Sequence, residues 1–158
     1  MKKLAVFSLL SFLIFVSCAE SKAVVESGKV IRGDWVISSV SVEGIEAKNI
    51  EAKVFDQASF LCYAGSQWHL VQNNSSGYYT LRGGSGCPSE TTNIKWFITE
   101  VNGYTEFKFK KVYSGEKPKN VTDGYSLRVV YQGKDSFILA QDLLFEGKPI
   151  QILYTFSK

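Results

Sequence analysis

One histidine, one methionine, three cysteines and three prolines are all that 158 residues hold of those types. So few histidines and cysteines, with no paired C-x-x-C spacing, leave no zinc-ligand set. Three prolines exclude a polyproline-type segment, and charged residues at 21% argue against disorder. No apolar run reaches the roughly 20 residues of a membrane-spanning helix. No sign of charge dominates either: 18 Lys+Arg, less Lys2 and Lys3 of a removable leader, against 15 Asp+Glu leaves about +1. No nucleic-acid partner is expected from that balance. What is abundant is aromatic: Phe, Tyr and Trp make up 14% of the chain, and they suit pleated, half-buried surfaces.

The N-terminus begins with Lys2-Lys3, continues as an apolar run from Leu4 to Val16, and closes on small Ser17 before Cys18. This is the charged, apolar and small-residue order of a secretory leader. Residues 1–17 are read as that signal peptide, residues 18–30 as a lipidated N-terminus and linker, and residues 31–158 as one domain. Phe15-Val16-Ser17-Cys18 resembles a bacterial lipobox, which implies diacylation of the Cys18 sulfur and cleavage before it. Several acyl chains hold a protein on a membrane almost indefinitely. With Cys18 used, Cys62 and Cys87 are the remaining thiols in an oxidising compartment, and a disulfide is the simplest reading. Zinc and a catalytic cysteine are the sharper alternatives, and the single His69 supports neither well.

Eight segments carry strand signals, at residues 34–42, 67–72, 78–82, 93–101, 104–112, 125–132, 136–142 and 149–156. Asn102-Gly103 is the strongest hairpin turn among them. In the first segment Trp35, Ile37 and Ser39 oppose Val36, Ser38 and Val40; in the sixth, Tyr125, Leu127, Val129 and Tyr131 share one side. Between the first two, Val54, Phe55, Ala58, Leu61 and Cys62 are spaced three and four apart, which predicts one short helix within residues 52–64, with Asp56 as its N-cap. Seven strands joined by short connections favour an antiparallel meander, and eight can close on themselves. The predicted class is all-β, an eight-stranded up-and-down barrel, with a β-sandwich second.

Gly33-Asp34-Trp35 resembles the Gly-x-Trp that opens the first strand of lipocalins. Cys62-Tyr63-Ala64-Gly65-Ser66-Gln67-Trp68, with the turn Asn73-Asn74-Ser75-Ser76-Gly77, is similar to a segment of the lipocalin-like lipoproteins of Bacteroidetes. The resemblance implies that Trp35 packs across a closed barrel end near a basic residue, here Arg128 or Lys108. It also implies a cell-envelope protein, lipid-anchored to the outer membrane on its periplasmic or surface face. Phe156 stands two positions before the last residue, which suits the shorter bacterial kind of lipocalin.

Few constellations carry chemistry. His69 on a strand reads as a packed or surface residue, and the carboxylates of Asp34, Glu43, Asp123 and Asp135 as solvated. Gly83-Gly84-Ser85-Gly86 lacks the Gly-Lys-Ser/Thr of a phosphate loop and reads as a flexible loop. Lys108, Lys110, Lys111, Lys117 and Lys119 read as a solvated basic face, with anionic headgroups as a second idea. No enzyme activity, cofactor or metal is expected. The aromatics remain: Trp68, Trp96, Phe107, Phe109, Tyr125, Tyr131 and Tyr154 either fill a core or line a cavity for one small hydrophobic or amphipathic ligand. The alternative is a filled barrel that serves as a structural or interaction subunit of an outer-membrane protein complex.

Overall fold

Alternation of apolar and polar residues makes the strands, and the short turns between them dictate which strands pair. The computed structural model describes residues 21–46, 50, 52–84, 86–120 and 124–158; the leader and Cys18 lie outside the described residues. Helix α1 (Lys22–Ile31) comes first, followed by β1 (Gly33–Glu43), the two-residue strands β2 (Lys53–Val54) and β3 (Ala58–Ser59), and a 3-10 turn (Phe60–Tyr63). The rest is strand: β4 (Gln67–Val71), β5 (Ser76–Gly84), β6 (Cys87–Val101), β7 (Tyr104–Val112), β8 (Tyr125–Gln132), β9 (Ser136–Phe145) and β10 (Lys148–Ser157). A 3-10 turn at Pro118–Asn120 interrupts the β7–β8 connection.

β4 to β10 form an antiparallel meander, and β1 pairs with both β10 and β4, so eight strands close into a ring. Closure removes the exposed edges that an open sheet of this length would leave. Because Gly33, Ser76, Tyr104 and Ser157 start or end their strands on the same side, the ring has two distinct ends. One is crossed by α1, which packs against β6, β7 and β8; at the other the 3-10 turn packs against β1 and β5, and β3 against β6.

Several expectations need correction. The segment read as a linker is largely helix α1, capped by the Ser21 hydroxyl at the Val24 amide (3.3 Å), with Ser27, Gly28 and Ile31 buried. Residues 52–64 hold no α-helix but the β2–β3 hairpin and a 3-10 turn. Asp56 caps nothing there: Phe55 and Asp56 sit at φ 50° and 49°, the left-handed pair of a tight hairpin turn, closed by the Gln57 amide on the Val54 carbonyl at 3.1 Å. Spacing of three and four arises equally from a hairpin and a 3-10 turn in series, so periodicity over a dozen residues misled. Gly83 and Gly84, read as part of a flexible loop, belong to β5, which pairs with β6 up to Gly84 with Cys87.

Two bulges also shift the faces. The β1–β10 register slips between Ile37 and Ser39, which turns Val40 and Val42 onto the Trp35 side and Ser39 outward. The β8–β9 register slips between Val129 and Tyr131, and Tyr131 ends outside the ring, 51% exposed. An extra residue inverts every later side chain, and no residue type announces it here.

Cys62 and Cys87 stand at disulfide distance, Sγ to Sγ 2.08 Å and Cα to Cα 5.4 Å, joining the 3-10 turn to the start of β6. The bond closes a 25-residue loop that contains β4 and β5. Replacing either cysteine by Ser is expected to lower the unfolding free energy by about 3 kcal/mol. Denaturant melts compared with and without reductant check it; a wild-type chain indifferent to reductant contradicts the expectation.

Candidate functional site

The interior of the ring is the place where sequence reasoning put a ligand, and its walls are aromatic. Trp68, Trp96, Phe107, Phe109 and Tyr154 point inward and are buried, as alternation along β4, β6, β7 and β10 requires. Tyr125 is half-buried at the rim, and Tyr131 belongs to the outside. At the α1 end, Trp35 meets Phe137 edge-on at 4.7 Å, Phe137 stacks on Phe156 at 4.3 Å, and the Trp35 indole N–H donates to the Ile31 carbonyl at 2.8 Å. The cation over the Trp35 ring is Lys158, 5.0 Å from its centroid, and neither Arg128 nor Lys108. Those two lie on the outer wall, paired with Asp142 and Glu106 at 3.1 Å each.

At the opposite end the β2–β3 hairpin turns into the ring and places Phe55 among the wall rings. Its ring lies 5.1 Å from those of Tyr63 and Phe109, 5.2 Å from Tyr125 and 5.7 Å from Tyr154, and it is 3% exposed. The first three contacts are edge-on, the arrangement that aromatic quadrupoles favour. Trp68 stacks on Tyr79 at 4.5 Å and meets Phe109 and Phe156 edge-on, which carries the packing from the hairpin to the α1 end.

A polar collar fastens this plug. The Gln57 amide oxygen accepts from the Tyr63 hydroxyl at 3.0 Å and from the Tyr79 hydroxyl, while its nitrogen donates to Thr92 Oγ1 at 2.9 Å and to the Glu90 carboxylate. Both lone pairs of the amide oxygen and both of its N–H groups are thus engaged. Asp56 accepts from the Tyr125 hydroxyl at 2.8 Å. Lys111, read from sequence as part of a solvated face, is buried: its ammonium donates to the Phe55 carbonyl at 2.6 Å and lies 5.7 Å from the centroid of the Tyr125 ring. Burial raises the pKa of the Tyr63, Tyr79 and Tyr154 hydroxyls, that of Tyr79 to about 12. Tyr125 is raised first by burial and then by the neighbouring Asp56 carboxylate.

Sequence reasoning missed Phe55, Gln57 and Lys111 as parts of this arrangement. The one available signal was Lys111 falling in phase with Phe107 and Phe109 on a strand with one dry face. It also missed a pair on the outer wall, where β1–β4 register sets Asp34 opposite His69 with Oδ1 and Nδ1 2.6 Å apart. Tyr78 stacks on that imidazole at 5.2 Å, and Ser157 and Lys158 line the same groove. The Asp34 carboxylate is 84% exposed, so the pair is a solvated cross-strand contact of small energetic weight. Among the described residues no three His, Cys, Asp or Glu side chains gather as a metal site would need. No family model matches the chain, and no curated protein or solved structure matches it significantly either.

Proposed function

We propose that this chain is a lipid-anchored protein of the bacterial cell envelope, held at the outer membrane through Cys18, whose lipocalin-like barrel is filled and which acts through its outer surface. The observation that carries the reading is Phe55: a side chain of the protein's own occupies the place among Tyr63, Phe109, Tyr125 and Tyr154 where a small apolar ligand would lie. The closed eight-strand ring, with a helix across one end and the β2–β3 hairpin at the other, supports the lipocalin-like comparison. The leader and Ser17-Cys18 support the anchor. With Phe55 in that place, the role is that of an interaction or structural subunit, with another envelope component as its partner.

A second reading keeps the ligand. Phe55 holds a left-handed backbone that a bulky L-residue adopts at a cost of about 1 to 2 kcal/mol, so withdrawal of the plug would release strain and expose the aromatic walls. Tryptophan fluorescence separates the two, because Trp68 lies against both Tyr79 and Phe109 inside the ring. Titration with fatty acids, haem and hydrophobic dyes is expected to give no saturable quenching for the filled barrel. Saturable quenching of the native protein at low ligand concentration would reverse the order of the two readings.

A further inference from the structure

The rim beside the plug carries charges of both signs that form no ion pair among the described residues. Phe107, Phe109 and Lys111 alternate on the inner face of β7, and Tyr113 follows them just past its end. On β6, Glu90, Thr92 and Ile94 take the same inward phase, and Ile94 lies directly across from Lys111. The hairpin tip closes a third side, where Gln57 reaches both Glu90 and Thr92. Between these elements lies a cavity of about 430 Å³, with Asp56, Gln57, Glu90, Thr92, Lys111 and Tyr113 in its walls. That is an ordinary size for a small-molecule site.

Lys111 is 7% exposed, and its ammonium donates to one acceptor, the Phe55 carbonyl at 2.6 Å, while lying 5.8 and 5.7 Å from the centroids of the Tyr113 and Tyr125 rings. No described carboxylate pairs with it, so two of its three N–H donors are left for whatever enters the cavity. A buried charge without a counter-charge is costly. The carboxylates stand in the reverse position. Asp56 accepts from the Tyr125 hydroxyl at 2.8 Å and Glu90 from the Gln57 amide, each through one oxygen and each from a neutral donor. Both are exposed at the rim, and neither meets a described cation.

Opposite charges that line one cavity without pairing to each other select their ligand. A simple anion would meet Lys111 and also two carboxylates; a simple cation would meet the carboxylates and also a buried ammonium. Like charges brought together in a partly desolvated site cost more than one good contact returns. A neutral molecule leaves both signs unmatched. A ligand with an ammonium at one end and a carboxylate at the other satisfies all three side chains, its carboxylate on the free Lys111 donors and its ammonium toward Asp56 and Glu90. The exposed Tyr113 ring offers an apolar surface to the carbon skeleton between them.

We infer that this rim cavity binds a small zwitterion, a free amino acid or a dipeptide, through Lys111 at one end and Asp56 and Glu90 at the other. Lys111 is held by the Phe55 carbonyl, and Asp56 and Gln57 belong to the same turn, so the site rests on the filled-barrel reading and adds a ligand to it. Calorimetric titration of the full chain with the common amino acids and with alanyl-alanine is expected to give saturable binding by at least one of them, in the millimolar range or below. Free alanine against alanyl-alanine tells which separation of charges fits. Acetylating the amine of the tightest ligand, or amidating its carboxylate, should each lower affinity about tenfold or more. Glu90→Gln with Asp56→Asn keeps acceptors for Gln57 and Tyr125 and removes both charges, so it should abolish the penalty for acetylation but not that for amidation. Lys111→Met should do the reverse, and Glu100→Gln, outside the cavity, should change nothing.

No saturable binding by any of these compounds overturns the inference, and so does binding that acetylation and amidation leave undiminished. Should Lys111→Met melt early, the blocked ligands decide, tested on the native chain and on the variant that lacks both carboxylates. Fatty-acid titration of the tryptophan fluorescence reads the barrel separately. A fatty acid that quenches saturably and expels a bound zwitterion overturns the filled barrel and leaves the rim site; absence of both kinds of binding overturns the rim site and leaves the filled barrel.

Discussion

Phe55→Ala is expected to lower the unfolding free energy by about 3 to 5 kcal/mol, the usual cost of deleting a fully packed phenyl ring. The ring touches four other aromatic rings and is 3% exposed, so its removal leaves a cavity that rigid strands cannot collapse to fill. Phe55→Gly loses the same ring but relieves the left-handed φ of 50° that Ala must still adopt. Glycine should therefore be the milder substitution by about 1 kcal/mol, the reverse of the ordinary order. The emptied place is lined by rings, and the Ala variant should bind indole or toluene where the native chain does not. Denaturant melts of the three proteins and a fluorescence titration measure both effects. A loss below about 1 kcal/mol for Phe55→Ala would mean that the hairpin tip is not packed as a plug.

Alkaline pH should unfold the protein through its buried tyrosines. Burial holds the hydroxyls of Tyr63, Tyr79 and Tyr154 neutral, raising their folded-state pKa above the ordinary value near 10, to about 12 for Tyr79. In the unfolded chain the same groups ionise near 10, so above that pH the folded state binds more protons than the unfolded state. Their contribution is complete below pH 10 and falls as pH rises beyond it, by about 1.4 kcal/mol per pH unit for each tyrosine. Together the three amount to about 4 kcal/mol per unit, enough to unfold a marginally stable domain within two units. Far-UV circular dichroism followed with phenolate absorbance tests this. Phenolate formation by Tyr63, Tyr79 and Tyr154 should coincide with loss of the β signal. Tyr79→Phe, which removes one such group together with its bond to Gln57, should move the alkaline midpoint upward relative to its own neutral-pH stability.

The strands were legible because alternation has a period of two and the ring needs one dry face. Residues 104–112 and 125–132 are read at the bounds that β7 and β8 take, and Cys62 and Cys87, the pair expected to join, stand at disulfide distance. Of the residues expected to face inward, five do so because their strands keep phase throughout. Tyr131 does not, since one bulged residue reverses the parity after Val129. The helix expected in residues 52–64 and the linker expected before residue 31 failed for a related reason. Over ten or twelve residues, spacing does not distinguish a hairpin followed by a 3-10 turn from a helix, and a polar segment with few apolar residues becomes a helix when a ring end offers Ser27, Gly28 and Ile31 a place to pack.

The amino-acid sequence by itself determined the all-β class, the succession of hairpins, the aromatic walls and the cysteine pair, since each depends on neighbours along the chain or on composition. Only the tertiary structure decided that the walls enclose the protein's own Phe55, that Gln57 and Lys111 fasten it, and that α1 packs against β6, β7 and β8. Those arrangements join residues as far apart as Phe55 and Lys111 or Asp56 and Tyr125. Such contacts are set by strand register and ring closure, quantities that arise only when the whole meander is assembled.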